Sequence, residues 1–102
     1  MELVFDNLNF LIIDDSAFMR QIIRGILLSG RCRKIHEAGS GTDALDLLNT
    51  GLRPDIITTC LETPSMDGIE FAREVRHSSD ERKHQVPIIM ISSHSEFEVV
   101  KK

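Results

Sequence analysis

The chain has 102 residues, 41% of them hydrophobic, and a formal net charge of −4, a length and balance that make one small domain with one core. Five Phe with no Trp or Tyr, and basic residues scattered among a majority of acids, supply neither a stacking platform nor a basic face, which argues against nucleic-acid binding. Two cysteines outside any CxxC spacing speak against a zinc ribbon or a disulfide framework. No apolar run reaches the roughly 20 residues of a membrane span, so a cytoplasmic chain with no membrane partner is expected.

The elements alternate. "FLII" (10–13) is a continuous apolar run stopped by two aspartates and reads as a strand buried on both faces. Met19, Ile22, Ile23, Ile26 and Leu27 then recur at helical spacing, with Asp15 or Ser16 placed as N-cap and Gly30 placed to end the helix. Gly25 in its interior weakens it by about 1 kcal/mol relative to Ala unless close packing requires the glycine. "RKIHEA" (33–38) is a weaker strand, and "GSGTDALDLLNTG" (39–51) a helix presenting Ala44, Leu47 and Leu48. "DIITTC" (55–60) forms the third strand. Asp67 to His77 forms a third helix with Ile69, Ala72 and Val75 on one stripe and Phe71 beside Val75. "VPIIMI" (86–91) is the most apolar strand, and "SEFEVVKK" opens with Ser95 and Glu98 at capping-box spacing, which predicts a fourth helix.

Alternating strands and helices with short connections imply an α/β fold, a doubly wound parallel sheet with right-handed crossovers. In such sheets the chemistry lies beyond the carboxyl ends of the strands, where the strand order reverses. Those ends are Asp14 and Asp15, then Cys60 to Glu62, then Ser92 to His94.

"FLIIDDSAFMRQII", "EAGSGTDALDLL", "RPDIITTCLETPSMDGIEF" and "VPIIMISSHSE" resemble successive blocks of a response-regulator receiver domain of two-component phosphorelay signalling. The resemblance implies a flavodoxin-like, CheY-like fold with strand order 2-1-3-4. It covers 1–102 as one receiver-like domain that stops inside the fourth helix and lacks the family's usual fifth strand and helix. It also implies that Asp14 and Asp15 support a magnesium ion, that Glu62 offers it a backbone carbonyl, and that Ser92 supplies the hydroxyl contacting the phosphoryl group. The family's acceptor aspartate sits four residues before the proline, and counting back from Pro64 lands on Cys60. The acceptor carboxylate is therefore absent, and magnesium binding is expected to be weak, because Mg²⁺ keeps several waters but still needs carboxylate oxygens.

A reactive cysteine needs nearby positive charge or a helix N-terminus, whereas the expected neighbours of Cys60 are two carboxylates that hold the thiol neutral. His94 as a partner for Cys60, and Glu62 as a substitute acceptor, are set aside in favour of a solvated loop residue and a side chain pointing out of the pocket. "VPIIMI" without a further strand would be an exposed apolar edge, the kind that pairs with other chains, and a homodimer through the fourth strand or the C-terminal segment is expected. The favoured function is a non-enzymatic pseudo-receiver that acts by phosphorylation-independent contact with a sensor kinase or downstream target. The alternatives are a receiver phosphorylated at a non-standard residue and a thiol sensor through Cys60.

Overall fold

The computed structural model describes residues 7–62, 66–78 and 85–91, and the backbone of 97–100. The central strand β1 (Asn9–Ile13) pairs in parallel with β2 (Lys34–Ala38) on one side and β3 (Ile56–Cys60) on the other. Beyond β3 runs β4 (Ile88–Ile91), again parallel. Four parallel strands in the order 2-1-3-4, with helices packed against them, give the expected doubly wound fold.

The C-terminal segment departs from expectation. Instead of starting a fourth helix, residues Phe97–Val100 form β5, antiparallel to β4, and complete a five-stranded sheet. Phe and two Val favour strand, and the open backbone groups of β4 offer them a ladder; both outweigh the capping-box spacing, whose Ser95 lies outside the described residues. The strand β4 is thus an inner strand rather than the exposed edge that the sequence implied.

The helices begin and end at short-range polar devices. In α1 (Ala17–Ser29) the Ser16 hydroxyl accepts the Met19 amide, and the Gly30 amide donates to the carbonyls of Ile26, Leu27 and Leu28. In α2 (Gly41–Asn49) Ser40 caps Asp43. In α3 (Gly68–Arg76) Asp67 and Glu70 form a reciprocal capping box that satisfies two otherwise orphaned donors.

The two faces of the sheet divide by strand alternation. Leu11, Ile13, Ile57 and Ile88 pack with Ala44 and Leu48 of α2 and with Phe71, Ala72 and Val75 of α3. Phe10 and Ile12 pack with Leu27 of α1 and with Cys32. The expected stripe of α1 is only half used, since Leu27 is buried while Ile22 is exposed and Ile26 is 63% exposed. Successive residues of a helix are about 100° apart, so with Leu27 facing the sheet Ile26 turns away from it. Ile69 of α3 is exposed for the same reason, with Phe71 buried in its stead. At Gly25 an added Cβ would meet nothing within 4 Å, so close packing on the sheet does not account for that glycine.

Candidate functional site

The carboxyl ends of β1 and β3 lie side by side because the two strands pair directly, Ile13 opposite Thr59. Asp14 follows β1 and Cys60 ends β3, and the ligand atoms of Asp14, Asp15 and Cys60 all lie within 4.8 Å of one another. Several backbone bonds hold this mouth in place. The Asp14 amide donates to the Ala38 carbonyl at 3.1 Å and extends the β1–β2 ladder, while the Leu61 amide donates to Ile91 at 3.0 Å and ties the loop after β3 to β4.

Asp14 is 7% exposed, and its carboxylate accepts the Ser16 amide at 2.9 Å. Burial raises its pKa above the ordinary carboxylate value, and the adjacent Asp15 charge adds to that; the Ser16 bond and Arg20 pull the other way. Arg20 does not pair with the carboxylate. Its guanidinium donates to the Asp14 backbone carbonyl and to Glu37, which also receives Arg24 at 2.9 Å. The Cys60 thiol is half-buried and donates to the Glu62 carbonyl at 3.0 Å. Its pKa is raised first by burial and then by the charges of Asp14, Asp15 and Glu62, against the lowering effect of the Glu62 backbone contact. A neutral thiol between carboxylates is a poor nucleophile.

The three residues read from the strand ends are therefore brought together, with the Glu62 carbonyl beside them and the Glu62 side chain exposed. Ser92, His94, Thr63 and Pro64 lie outside the described residues. Two contributors escaped the sequence reading. Gly68 opens α3 so close to the site that an added Cβ would stand 2.8 Å from the Cys60 carbonyl, and its amide bonds the Leu61 carbonyl at 2.8 Å. Arg20, one turn into α1, clamps the backbone of Asp14 to β2 through Glu37. The "MDG" following the break at Pro64 carried a signal for Gly68; nothing in the sequence marked Arg20 apart from other helix arginines.

A doubly wound parallel sheet with two carboxylates at the mouth of its first strand, facing the end of the third, defines a class of α/β domains whose working site is the switch-point crevice. The particular family follows from comparison with known proteins. The sequence model of the response regulator receiver domain matches residues 10–102, and the chain belongs to that family of two-component signalling domains. Among curated proteins it is 41% identical over 83 residues to a protein-glutamate methylesterase/protein-glutamine glutaminase of Halobacterium salinarum, a match covering 81% of this chain and 22% of that protein. It is 34% identical over 94 residues to the similarly named protein of Pyrococcus abyssi, covering 91% of this chain and 24% of the relative. The chain thus spans about a quarter of the length of these relatives. Among solved structures it resembles the receiver domain of the histidine kinase CKI1 from Arabidopsis thaliana complexed with Mg²⁺ and BeF₃⁻, at a TM-score of 0.82 and 27% identity over 90% of this chain and 70% of that one. It also resembles the chemotaxis response regulator CheY4 of Vibrio cholerae, at 0.71 and 30% identity over 81% of this chain and 66% of that one.

Proposed function

We propose that this chain is a pseudo-receiver, a single receiver-like domain over residues 1–102 that works in two-component signalling by protein contact rather than by accepting phosphate. The observation that carries the reading is the side chain at the mouth of β3: a neutral thiol, engaged with the Glu62 carbonyl, where phosphoryl transfer needs an anionic oxygen nucleophile. The partners are a sensor kinase or a downstream target in the cytoplasm. The chain itself is not an enzyme, and the methylesterase activity in the names of its curated relatives goes with the three quarters of their length that it does not match.

Asp14, Asp15 and the Glu62 carbonyl would hold a divalent cation, as the donor chemistry of two carboxylates and a carbonyl allows. Bound there, the ion would supply positive charge to phosphoryl oxygens, and Ser92, outside the described residues, is the hydroxyl donor that the sequence pattern assigns. With only two carboxylates and the carbonyl engaged by Cys60, magnesium would be held weakly. For homodimerisation the C-terminal segment is the surface of choice, because β5 is the outermost strand of the sheet and outermost strands pair; light scattering should return twice the 11.5 kDa chain mass.

Incubation with acetyl phosphate and magnesium followed by intact-mass measurement tests the central claim. The mass is expected to stay unchanged. A gain of one phosphoryl group would overturn it and move the assignment to a receiver with an unusual acceptor.

A further inference from the structure

The main chain of Asp14 is fixed from both sides. The residue lies just past the end of the β1–β2 ladder, where Ile13 stands opposite Ala38; its amide donates to the Ala38 carbonyl at 3.1 Å, and its carboxylate accepts the Ser16 amide at 2.9 Å. Arg20 supplies the remaining hold. Nη1 of its guanidinium donates to the Asp14 carbonyl, while Nε donates to Oε1 of Glu37 at 3.0 Å and Arg24 Nη1 donates to the other oxygen, Oε2, at 2.9 Å. Arg20 and Arg24 stand four residues apart and share a helix face, so Glu37 on β2 can receive both. The Arg20 and Glu37 side chains are only 20% and 30% exposed. A strap thus runs from α1 through β2 to the backbone of a buried residue.

A guanidinium in this place acts on a cation in the mouth in two ways, and they carry opposite signs. Burial raises the Asp14 pKa while the Arg20 charge lowers it, so that charge is felt at the carboxylate and would repel a metal ion there. The hydrogen bonds work the other way. They fix the peptide that carries the carboxylate, and partners that orient a metal ligand are typically worth roughly 10–100-fold in affinity. The repulsion is largely cancelled by the Glu37 carboxylate 3.0 Å away, whereas the orientation is not. We infer that Arg20 is a positioning residue, which touches no ion but, by fixing the Asp14 backbone, strengthens the hold of the mouth on an oxygen-seeking divalent cation. The inference rests on the cation site of the pseudo-receiver reading. It requires the fork of an arginine, which reaches Glu37 and the Asp14 carbonyl through two different nitrogens; a lysine offers one ammonium on a flexible stem.

Titration of the whole chain with Mn²⁺, an oxygen-seeking ion whose paramagnetism broadens nearby amide signals, tests this in the parent and in variants. Arg20→Gln removes charge and strap together, Arg20→Lys keeps the charge without the fork, and Arg24→Gln removes a charge from the same helix while the Asp14 carbonyl keeps its partner. Both Arg20 variants should bind Mn²⁺ about tenfold more weakly, the low end of the range because the bond is to the backbone and not to the ligating oxygen, and Arg24→Gln should change affinity by less than about twofold. Hydrogen exchange at the Asp14 amide should quicken relative to the amides of β1 in both Arg20 variants and stay at the parent rate in Arg24→Gln. Tighter Mn²⁺ binding in Arg20→Gln, with Arg20→Lys matching the parent, would mean that Arg20 acts by charge alone and overturns the inference. So does a loss of urea stability with Mn²⁺ affinity and Asp14 exchange unchanged, as a purely structural ion pair would give. A parent whose signals do not broaden with Mn²⁺ removes the cation site of the function reading and this inference with it, whereas Arg20 variants that bind as a binding-competent parent does remove the inference alone.

Discussion

On one face of the sheet α2 and α3 close over Leu11, Ile13, Ile57 and Ile88, and eleven buried residues form a single cluster. On the other face α1 is the one helix among the described residues over Phe10 and Ile12, where the cluster has four described buried members, while Phe18 of the same helix stands 70% exposed. Asp14 continues the parity of Phe10 and Ile12, and Cys60 that of Ile56, so both site residues belong to the thin side. The sealed face carries the stability. The thin face carries the site and leaves apolar side chains of α1, including Phe18, Ile22 and Ile26, available for contact, which fits a module that acts by docking.

The sharpest test of this asymmetry is a pair of truncations. Phe71→Ala removes a fully buried ring from the thick cluster and should cost about 3–5 kcal/mol, whereas Leu27→Ala on the thin face should fall near the low end of the roughly 2–5 kcal/mol range for such changes, since a sparsely packed site collapses more easily. Urea denaturation of both variants measures the difference; equal losses would mean that the two faces contribute alike.

A smaller effect separates the site from the core. Because Asp14 has a folded pKa raised above its ordinary 3.8, the folded state binds its proton more readily than the unfolded chain does. This group's contribution to stability is therefore fully present below pH 3.8 and is lost as pH rises through the raised value. Cys60, raised above 9.0, acts with the same sign in the alkaline range. Asp14→Asn should remove the acidic part of that slope, so that the variant gains on the parent as pH increases from 3.8 toward neutrality. A difference between the two that is flat across that range would contradict the assignment.

Much of this asymmetry was hidden in the sequence. The caps at Ser16 and Gly30, the strand ends at Asp14 and Cys60 and the parallel alternation were legible because each depends on neighbouring residues alone. The strand order came through family resemblance, since pairing is a long-range property. The stripe on α1 was misjudged because helical spacing says which residues share a face but not how much of that face the sheet covers. The same locality misled at the C-terminus: Ser95 and Glu98 have capping-box spacing, but the open ladder of β4 that draws Phe97–Val100 into strand is non-local. The capping box that does form, at Asp67 and Glu70, went unremarked. The thiol–carbonyl contact from Cys60 to Glu62 and the steric demand at Gly68 needed coordinates, because both depend on backbone direction in the loop after β3.

Gly25 gives the finest probe of the thin face. A glycine within a helix forfeits roughly 0.5–1 kcal/mol relative to alanine through the freedom it gives the unfolded chain, and a sealed face would compensate by using the missing side chain for close approach. Here a Cβ meets open space, so nothing among the described residues offsets the loss. Gly25→Ala should therefore stabilise the protein by about 0.5–1 kcal/mol, read as a higher urea midpoint at unchanged slope. A loss of stability instead would mean that another surface lies against α1 in solution, so that the glycine serves an interface between chains.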